Sequence, residues 1–257
     1  MIRRLLASLL LLLVAGAAQA TIPWEIARTL DHDTTAFTEG LFIADGLIYE
    51  STGLTGKSDL RAYALEDGRL VRRQPIPAEL FGEGIAPWGD RIVSLTWRGG
   101  VGIVWSRADF KEQRRFSYAG EGWGLTGDGR SLIMSDGTAE LRFLDPGTLA
   151  EQRRITVTWE GQPVRFVNEL EYVDGKIYAN IWYSPLIARI DPATGVIDDW
   201  INLAPLVAEN VGNDPDAVLN GIAWDPEARL LYVTGKNWPR LYALRLGEPE
   251  GTGRSPE

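Results

Sequence analysis

The stretch FTEGLFIADGLIYESTG, which runs from Phe37 to Gly53, has two alternating apolar segments on either side of an Asp-Gly pair. This pattern is typical of an antiparallel β-hairpin with a tight turn. The hairpin opens on FTEG, in which Glu39 stands between an aromatic residue two positions earlier and a glycine. A second stretch, FGEG at Phe81–Gly84, has the same arrangement around Glu83. The two stretches are therefore candidates for one position in a repeated unit.

The hairpin pattern occurs five times along the chain. The other copies are FGEGIAPWGDRIVSLTW, EGWGLTGDGRSLIMSDGT, VNELEYVDGKIYANIW and LNGIAWDPEARLLYVTGK. Most copies are followed by a third apolar segment and a polar turn, which makes units of roughly 45 residues with about four strands each. This repeat predicts an all-β fold, a five-bladed β-propeller. The last unit ends after its third strand, so we expect Trp24–His32 to supply the missing strand and close the ring. One helical turn is predicted near Leu203–Asn210.

The first twenty residues, MIRRLLASLLLLLVAGAAQA, predict a cleaved signal peptide. Arg3 and Arg4 precede an apolar run, and Ala18-Gln19-Ala20 has a small-x-small cleavage pattern. The apolar run is shorter than the roughly 20 residues that a membrane-spanning helix needs. We therefore expect an exported protein, periplasmic or secreted, with no membrane attachment after cleavage; an uncleaved anchor is the alternative. The predicted organisation is a signal peptide at 1–20, a catalytic propeller at 21–247 and a disordered tail at 248–257.

The composition excludes several kinds of site. Without Arg3 and Arg4 the 26 basic residues become 24, against 35 acidic ones, a net charge of −11 that disfavours nucleic-acid binding. The chain has no cysteine, which excludes disulfides, thiol nucleophiles and thiolate metal sites. The single histidine, His32, rules out a multi-histidine zinc site, and a Ser-His-Asp triad would depend on it alone. Carboxylates, amides, lysine and aromatic residues remain for chemistry.

Two columns of residues are obtained when the five copies are aligned. The first column stands at the start of the innermost strand and contains Glu39, Glu83, Trp123, Asn168 and Asn220. The second stands at the end of the neighbouring strand and contains Gly53, Trp97, Thr138, Trp182 and Lys236. Because the two strands are antiparallel, both columns are expected at one mouth of the central tunnel.

The residue types in these columns favour a functional site over packing. A column that serves packing would repeat one residue type, whereas these columns differ from blade to blade. Buried carboxylates are also costly unless they are paired or functional. A solvated polar tunnel is the alternative.

At these residues the sequence resembles the plant-type glutaminyl-peptide cyclotransferases, or glutaminyl cyclases, and their bacterial members. The matching motifs cover nearly all of the chain after residue 20; they are FTEG, ESTGLTGKS, FGEG, the WGL of EGWGLTGDG, SDGT, NELEY, N-x-W, LNGIAWD and TGKNWP. The resemblance implies a five-bladed propeller, in agreement with the repeat count. It also implies an enzyme that converts the N-terminal glutamine of a peptide or protein to pyroglutamate and releases ammonia.

The same resemblance implies roles for individual residues. Glu83 corresponds to the catalytic carboxylate of the family, which acts as general acid and base. The substrate-binding positions correspond to Phe37, Phe81, Trp97, Trp123, Asn168, Trp182 and Lys236. The plant enzymes carry glutamine where this chain has Glu39; we expect Glu39 to bind substrate too, and to place a second negative charge near Glu83. No cofactor is expected, a structural cation in the tunnel is compatible with this prediction, and a monomer is expected.

Two other functions are compatible with the same columns. One is a calcium-dependent propeller hydrolase, such as a lactonase, with the oxygen ligands that calcium prefers supplied by Glu39, Glu83, Asn168 and Asn220. Lys236 and the tryptophans at the same mouth fit that function less well. The other is a non-catalytic propeller that binds peptides or proteins through its loops. Turnover of a glutamine-initiated peptide separates both from the cyclase.

Overall fold

The computed structural model describes residues 21–212 and 214–248. The predicted signal peptide lies outside these ranges, as does the predicted tail apart from Glu248. The described chain folds into five four-stranded antiparallel sheets, which are the five blades of a propeller. The fold class expected from the repeat is thus confirmed.

The strands follow the repeat in chain order. The first strand of the described residues, β1 (Trp24–Asp31), precedes blade one. Blade one is built from β2 (Thr38–Ala44), β3 (Leu47–Thr52), β4 (Asp59–Ala64) and β5 (Leu70–Pro75). Blade two is built from β6 (Gly82–Trp88), β7 (Arg91–Thr96), β8 (Val101–Ser106) and β9 (Glu112–Ser117). Blade three has shorter inner strands and is built from β10 (Leu125–Gly127), β11 (Leu132–Met134), β12 (Glu140–Leu144) and β13 (Glu151–Thr156).

Two irregular segments accompany the last two blades. A small ribbon, β14 (Thr158–Trp159) with β15 (Gln162–Pro163), precedes blade four, which is built from β16 (Val167–Val173), β17 (Lys176–Ile181), β18 (Leu186–Ile190) and β19 (Ile197–Asn202). The predicted helical turn is present as α1 (Ala204–Asn210). Blade five contains β20 (Leu219–Asp225), β21 (Leu230–Gly235) and β22 (Arg240–Leu246). No helix among the described residues is long and apolar enough to cross a membrane.

The N-terminal strand closes the ring. β1 pairs antiparallel with β22, from Trp24 opposite Leu246 to Asp31 opposite Arg240, and becomes the outer strand of blade five. The blade is therefore made from both ends of the propeller, as its missing fourth strand predicted. This closure pairs the edge of β22 and leaves β1 as the outer edge strand of the blade.

The apolar core lies between neighbouring blades. One cluster, for example, joins Phe42 and Leu60 of blade one to Ile85 and Ile103 of blade two. Four similar clusters fill the other interfaces, including the one at which blade five meets blade one. Because every blade is packed on both faces, the inner strands are held rigidly around the central tunnel.

Glycines allow the inner strands to approach each other near the axis. A Cβ at Gly124 would overlap the backbone carbonyl oxygen of Asn168 and would lie 2.8 Å from the Cα of Glu169. Blade four has Glu169 at the position that glycine holds in the other blades. The buried carboxylate of Glu169 instead accepts hydrogen bonds from the backbone N–H groups of Leu41 and Ile222, at 3.1 and 2.8 Å. It thereby ties blade four to blades one and five.

Candidate active site

A cavity of about 210 Å³ opens at the tunnel mouth where the inner strands begin. Each lining residue predicted from the sequence stands at or next to the start of an inner strand, or directly after the strand beside it. The ten lining residues are Phe37, Glu39, Phe81, Glu83, Trp97, Trp123, Asn168, Trp182, Asp216 and Lys236. The structure thus brings together all nine residues selected from the sequence and adds Asp216.

Three members of the two columns do not line the cavity. Asn220 is fully buried behind it and donates hydrogen bonds to the backbone oxygen of Thr38 at 2.9 Å and to Oε2 of Glu39 at 3.3 Å. Gly53 leaves the space that Glu39 needs, because a Cβ there would lie 2.9 Å from the Glu39 Oε1. Thr138 bonds locally to Asp136. The two columns therefore contain residues that line the cavity and two residues, Asn220 and Gly53, that hold Glu39 or leave space for it.

Glu83 is the carboxylate of the cavity without a hydrogen-bond donor. Its residue is 5% exposed, and none of the groups in the described ranges donates a hydrogen bond to its side-chain oxygens. Burial raises the pKa of Glu83 well above its usual value, and the charge of Glu39 raises it further, while Lys236 acts in the opposite direction. Glu83 can therefore hold or release a proton nearer to neutral pH than an exposed glutamate does.

Glu39 has the opposite environment. Its Oε1 accepts a hydrogen bond from Nζ of Lys236 at 2.7 Å, and this buried ammonium also lies 4.4 Å from the centre of the Phe37 ring. Burial raises the pKa of Glu39, and the Lys236 ammonium offsets only part of that rise, so the net pKa stays above the usual value. None of the described residues gives Glu83 such a partner, so the pair is asymmetric, and the pKa of Glu83 is raised more strongly than that of Glu39.

The aromatic wall is held by a carboxylate that sequence reasoning missed. Oε2 of Glu121 accepts hydrogen bonds from both indole Nε1 groups of Trp97 and Trp123, at 2.9 and 3.0 Å. Trp123 in turn packs edge-on against Trp182 with 5.5 Å between ring centres. A signal for Glu121 existed: it stands two positions before its first-column residue, where the first two blades have phenylalanine. A charged residue at a position where the first two blades carry phenylalanine indicates a specific role for Glu121.

Asn168 supplies polar atoms that the protein itself does not use. The residue is 3% exposed, and its Oδ1 has no hydrogen-bond partner among the described residues. Its backbone oxygen is fixed by the hydroxyl of Ser135 at 2.6 Å. Leaving a buried amide oxygen unpaired is costly, so this atom is suited to accept an N–H from a molecule in the cavity.

Asp216 lies at the edge of the cavity and comes from outside the repeat. It is exposed, belongs to the connection between α1 and β20, and has its Oδ1 3.5 Å from the hydroxyl of Tyr183. No lysine or arginine in the described ranges forms an ion pair with it. Because the connection has no counterpart in the other blades, column alignment could not find this residue.

The oxygen atoms proposed for a calcium site are engaged otherwise. Glu39 is ion-paired with Lys236 and hydrogen-bonded to Asn220, so a cation placed on it would lie against an ammonium group. Among the residues that the structure describes, no group of three or more His, Asp or Glu side chains is arranged to hold a metal ion. The donor set fits a metal poorly and an uncharged polar molecule well.

An isolated carboxylate with a raised pKa, enclosed by aromatic rings at a propeller mouth, defines the site of an acid–base enzyme. Comparison with known proteins gives the particular family. The family model described as glutamine cyclotransferase matches residues 5–246. A glutaminyl-peptide cyclotransferase from Arabidopsis thaliana is 38% identical over 226 residues, which cover 86% of this chain and 71% of the plant protein. The crystal structure of Myxococcus xanthus glutaminyl cyclase superposes with a TM-score of 0.83 at 39% identity, over 89% of this chain and 98% of the other. The chain belongs to the glutamine cyclotransferase family.

Proposed function

We propose that this enzyme converts the N-terminal glutamine of peptides or proteins to pyroglutamate and releases ammonia, with Glu83 as its catalytic acid and base. The observation that carries the proposal is the contrast between the two buried carboxylates of the cavity. Glu39 is ion-paired with Lys236, whereas no basic side chain of the described residues forms an ion pair with Glu83, whose pKa is raised. Family membership and the relatives described above support the same reaction.

The cavity has the size and lining for one glutamine residue. At about 210 Å³ it is smaller than the roughly 300–1,000 Å³ of pockets for drug-sized ligands. The rings of Trp97, Trp123 and Trp182 would pack on the methylene groups and exclude water. In the folded-back conformer that they favour, the α-amine lies against its own side-chain carboxamide. Because the reaction is intramolecular, holding that conformer supplies much of the acceleration.

Glu83 would move one proton in two steps. The neutral α-amine attacks the carboxamide carbon, a C–N bond forms, and the ionised carboxylate of Glu83 takes a proton from the attacking nitrogen. The same proton is then given to the amide nitrogen, the old C–N bond breaks, and ammonia leaves. Glu83 ends in its starting state. A raised pKa suits both steps, because it keeps the proton affinity of Glu83 close to that of its partners.

Polar groups of the cavity would orient the carboxamide and stabilise the tetrahedral oxyanion. Lys236 uses one of its three N–H donors on Glu39 and retains the others for an oxygen of the substrate. Asn168 has a free Oδ1 for an N–H of the carboxamide or of the α-amine, and its Nδ2 for a carbonyl oxygen. Glu39 would bind substrate mainly by holding Lys236 in place.

The proposal extends to three properties that follow from the sequence. We propose that the reaction needs no cofactor, that the enzyme acts as a monomer, and that it is exported to the periplasm or secreted after cleavage of residues 1–20. Full activity after dialysis against a chelator is the expected outcome. Inactivation that a divalent cation reverses would instead support the calcium-dependent hydrolase.

The test is incubation of the purified protein with a glutamine-initiated peptide. We expect release of ammonia and a mass loss of one ammonia per peptide. Glu83→Gln should lower kcat by about 10²–10⁴-fold, the usual contribution of a general acid–base group, while keeping the wild-type melting temperature. Substantial turnover by the folded variant would remove Glu83 from the mechanism. Peptide binding without any turnover by the wild type would support the non-catalytic propeller.

A further inference from the structure

A second cavity lies beside the active-site cavity, on the side of blades four and five. It is a groove of about 510 Å³ between α1 and the turn that contains Tyr183, and we call it the α1 groove. Ala204, Ala208 and Val211 line it on the helical side, and Pro185 lines it on the other. None of its described lining residues is charged, so the groove offers an apolar surface to solvent.

The α1 groove and the active-site cavity share a wall. Tyr183 lines the groove, and its ring lies 4.5 Å from that of Trp182, which lines the active-site cavity. On the other side of the boundary Pro215 lines the groove, and the next residue, Asp216, lines the active-site cavity. A chain leaving the active site at this boundary therefore enters the groove directly.

A peptide substrate has to leave the active-site cavity, because that cavity has room for little more than its first residue. The rim at blades two and three is occupied by Arg98, which stacks 3.8 Å from the Trp97 ring centre and is ion-paired with Glu121 at 3.4 Å. The rim at blade four has Tyr183 instead, which is 59% exposed. The apolar exit is therefore the one that leads to the α1 groove.

The exposed tyrosine is not required by the local backbone. Tyr183 has a left-handed conformation, with φ of 60°, in the turn after the second strand of its blade. Asn237 has the same φ of 60° at the matching turn of blade five. A polar residue thus meets the demands of this turn, and an exposed aromatic side chain in the left-handed region points to a use in binding.

We propose that the α1 groove binds the residues that follow the N-terminal glutamine of the substrate, and that it favours peptides with an apolar side chain at the second or third position. This inference rests on the proposed function, since the substrate must be a peptide held by its first residue. The additional binding free energy comes from burial of that apolar side chain against α1 and Tyr183, while the glutamine stays in the active-site cavity.

The test compares three tetrapeptides: Gln-Gly-Gly-Gly, Gln-Leu-Gly-Gly and Gln-Gly-Leu-Gly. Partial burial of one leucine should lower KM about fivefold relative to the all-glycine peptide, with kcat nearly unchanged.

Ala208→Trp fills the groove and should abolish this preference while leaving turnover of the all-glycine peptide intact. Glu209→Trp is the matched control, because Glu209 is exposed on the same helix and does not line the groove. Ala208→Asp, a smaller change, should also abolish the preference by placing a charge in the groove.

Failure of the groove proposal and failure of the proposed cyclase function give different results in this test. Equal KM values for all three peptides with the wild type would overturn the groove while leaving the cyclase function standing. A leucine preference that survives both Ala208 variants, with melting temperatures near that of the wild type, would also overturn it. A wild type that releases no ammonia from any of the peptides would overturn the proposed function itself.

Discussion

The ammonium Nζ of Lys236 lies 2.7 Å from Oε1 of Glu39, and both residues are buried in the wall of the active-site cavity. This ion pair decides which of the two carboxylates keeps its charge. Lys236 favours the ionised form of Glu39, and the charge of Glu39 raises the pKa of Glu83. A glutamine at position 39 would leave Lys236 free to act on Glu83 alone.

Glu39→Gln should therefore shift the pH dependence of catalysis. The variant removes the negative charge that raises the pKa of Glu83, and it leaves Lys236, which lowers that pKa, without its present counter-ion. Both effects lower the pKa of Glu83. If the ionised carboxylate is the form that takes the proton, the acidic limb of the kcat/KM profile moves to lower pH.

The measurement is kcat/KM against pH for the wild type and Glu39→Gln, with one glutamine-initiated peptide. Glu66→Gln is a control for the change in net charge, since Glu66 is exposed in the turn between β4 and β5, away from the tunnel mouth. An acidic limb that stays in place in Glu39→Gln would contradict the assigned charge asymmetry.

Glu121 should act on KM through the two tryptophans that it holds. Glu121→Ala removes the acceptor of both indole N–H groups, so Trp97 and Trp123 lose their fixed orientation in the cavity wall. A hydrogen bond to a charged group contributes about 1.5–3 kcal/mol, and we expect KM to rise about tenfold or more. Glu121→Gln keeps a side-chain oxygen and should have a smaller effect. Unchanged KM in Glu121→Ala would show that packing alone fixes the indoles.

The part of the site that repeats could be predicted from the sequence, because each blade places equivalent residues at the same height of the tunnel. Glu39, Glu83, Trp123 and Asn168 were found in this way. The partners that set their chemistry were not all found. That Lys236 would pair with Glu39 rather than Glu83 depends on side-chain distances between blades one and five, which no column alignment contains.

The parts that do not repeat escaped prediction for a related reason. Asp216, Pro215 and the α1 groove come from the connection between β19 and β20, which has no equivalent in the other blades. Its helical turn was predicted from the periodicity of apolar residues near Leu203–Asn210, but its position beside the tunnel mouth was not. Tertiary packing decides where such an insertion lies, so its contribution to the site could be read only from the structure.

Gly124→Ala should destabilise the propeller at its axis. A Cβ at this position would overlap the backbone oxygen of Asn168 and would lie 2.8 Å from the Cα of Glu169, and neither backbone atom can move without displacing blade four. We expect a loss of at least about 2 kcal/mol in the free energy of unfolding, the usual order for overpacking. Gly127→Ala, three residues further on at the end of β10, is the matched control, because its Cβ would find its nearest atom at an ordinary 3.7 Å. Equal stability of the two variants in urea unfolding would disprove the close approach.

His32 forms a buried ion pair with Glu50, and neither residue lines the active-site cavity. Its Nε2 lies 3.0 Å from Oε1 of Glu50 and its Nδ1 lies 2.8 Å from the backbone oxygen of Trp238, so both ring nitrogens face acceptors, as suits an imidazolium. The Glu50 carboxylate also accepts hydrogen bonds from the hydroxyls of Thr38 and Tyr63, at 2.7 and 3.0 Å. This pair should make the stability of the propeller depend on pH.

The pKa shifts of His32 and Glu50 determine in which direction the stability changes with pH. Burial lowers the pKa of His32, but Glu50 and the Trp238 carbonyl outweigh it, against a smaller opposing effect of Arg61, and the net pKa is raised above 6.5. Burial raises the pKa of Glu50, but His32 and Arg61 outweigh it, and the net pKa is lowered below 4.5. The pair therefore stabilises fully between pH 4.5 and 6.5; its contribution is lost as pH rises through the raised pKa of His32 or falls through the lowered pKa of Glu50.

His32→Gln should accordingly cost the most stability in that window, about 3 kcal/mol, because it leaves a buried carboxylate without its cation. The cost should shrink at alkaline pH, where the wild-type imidazole has lost its proton. Urea unfolding of both proteins at several pH values measures it. In a Glu50→Gln background this decline at alkaline pH should be absent, since no ion pair remains to hold the proton on His32. A cost that does not decline at alkaline pH in the native background would contradict the ion pair.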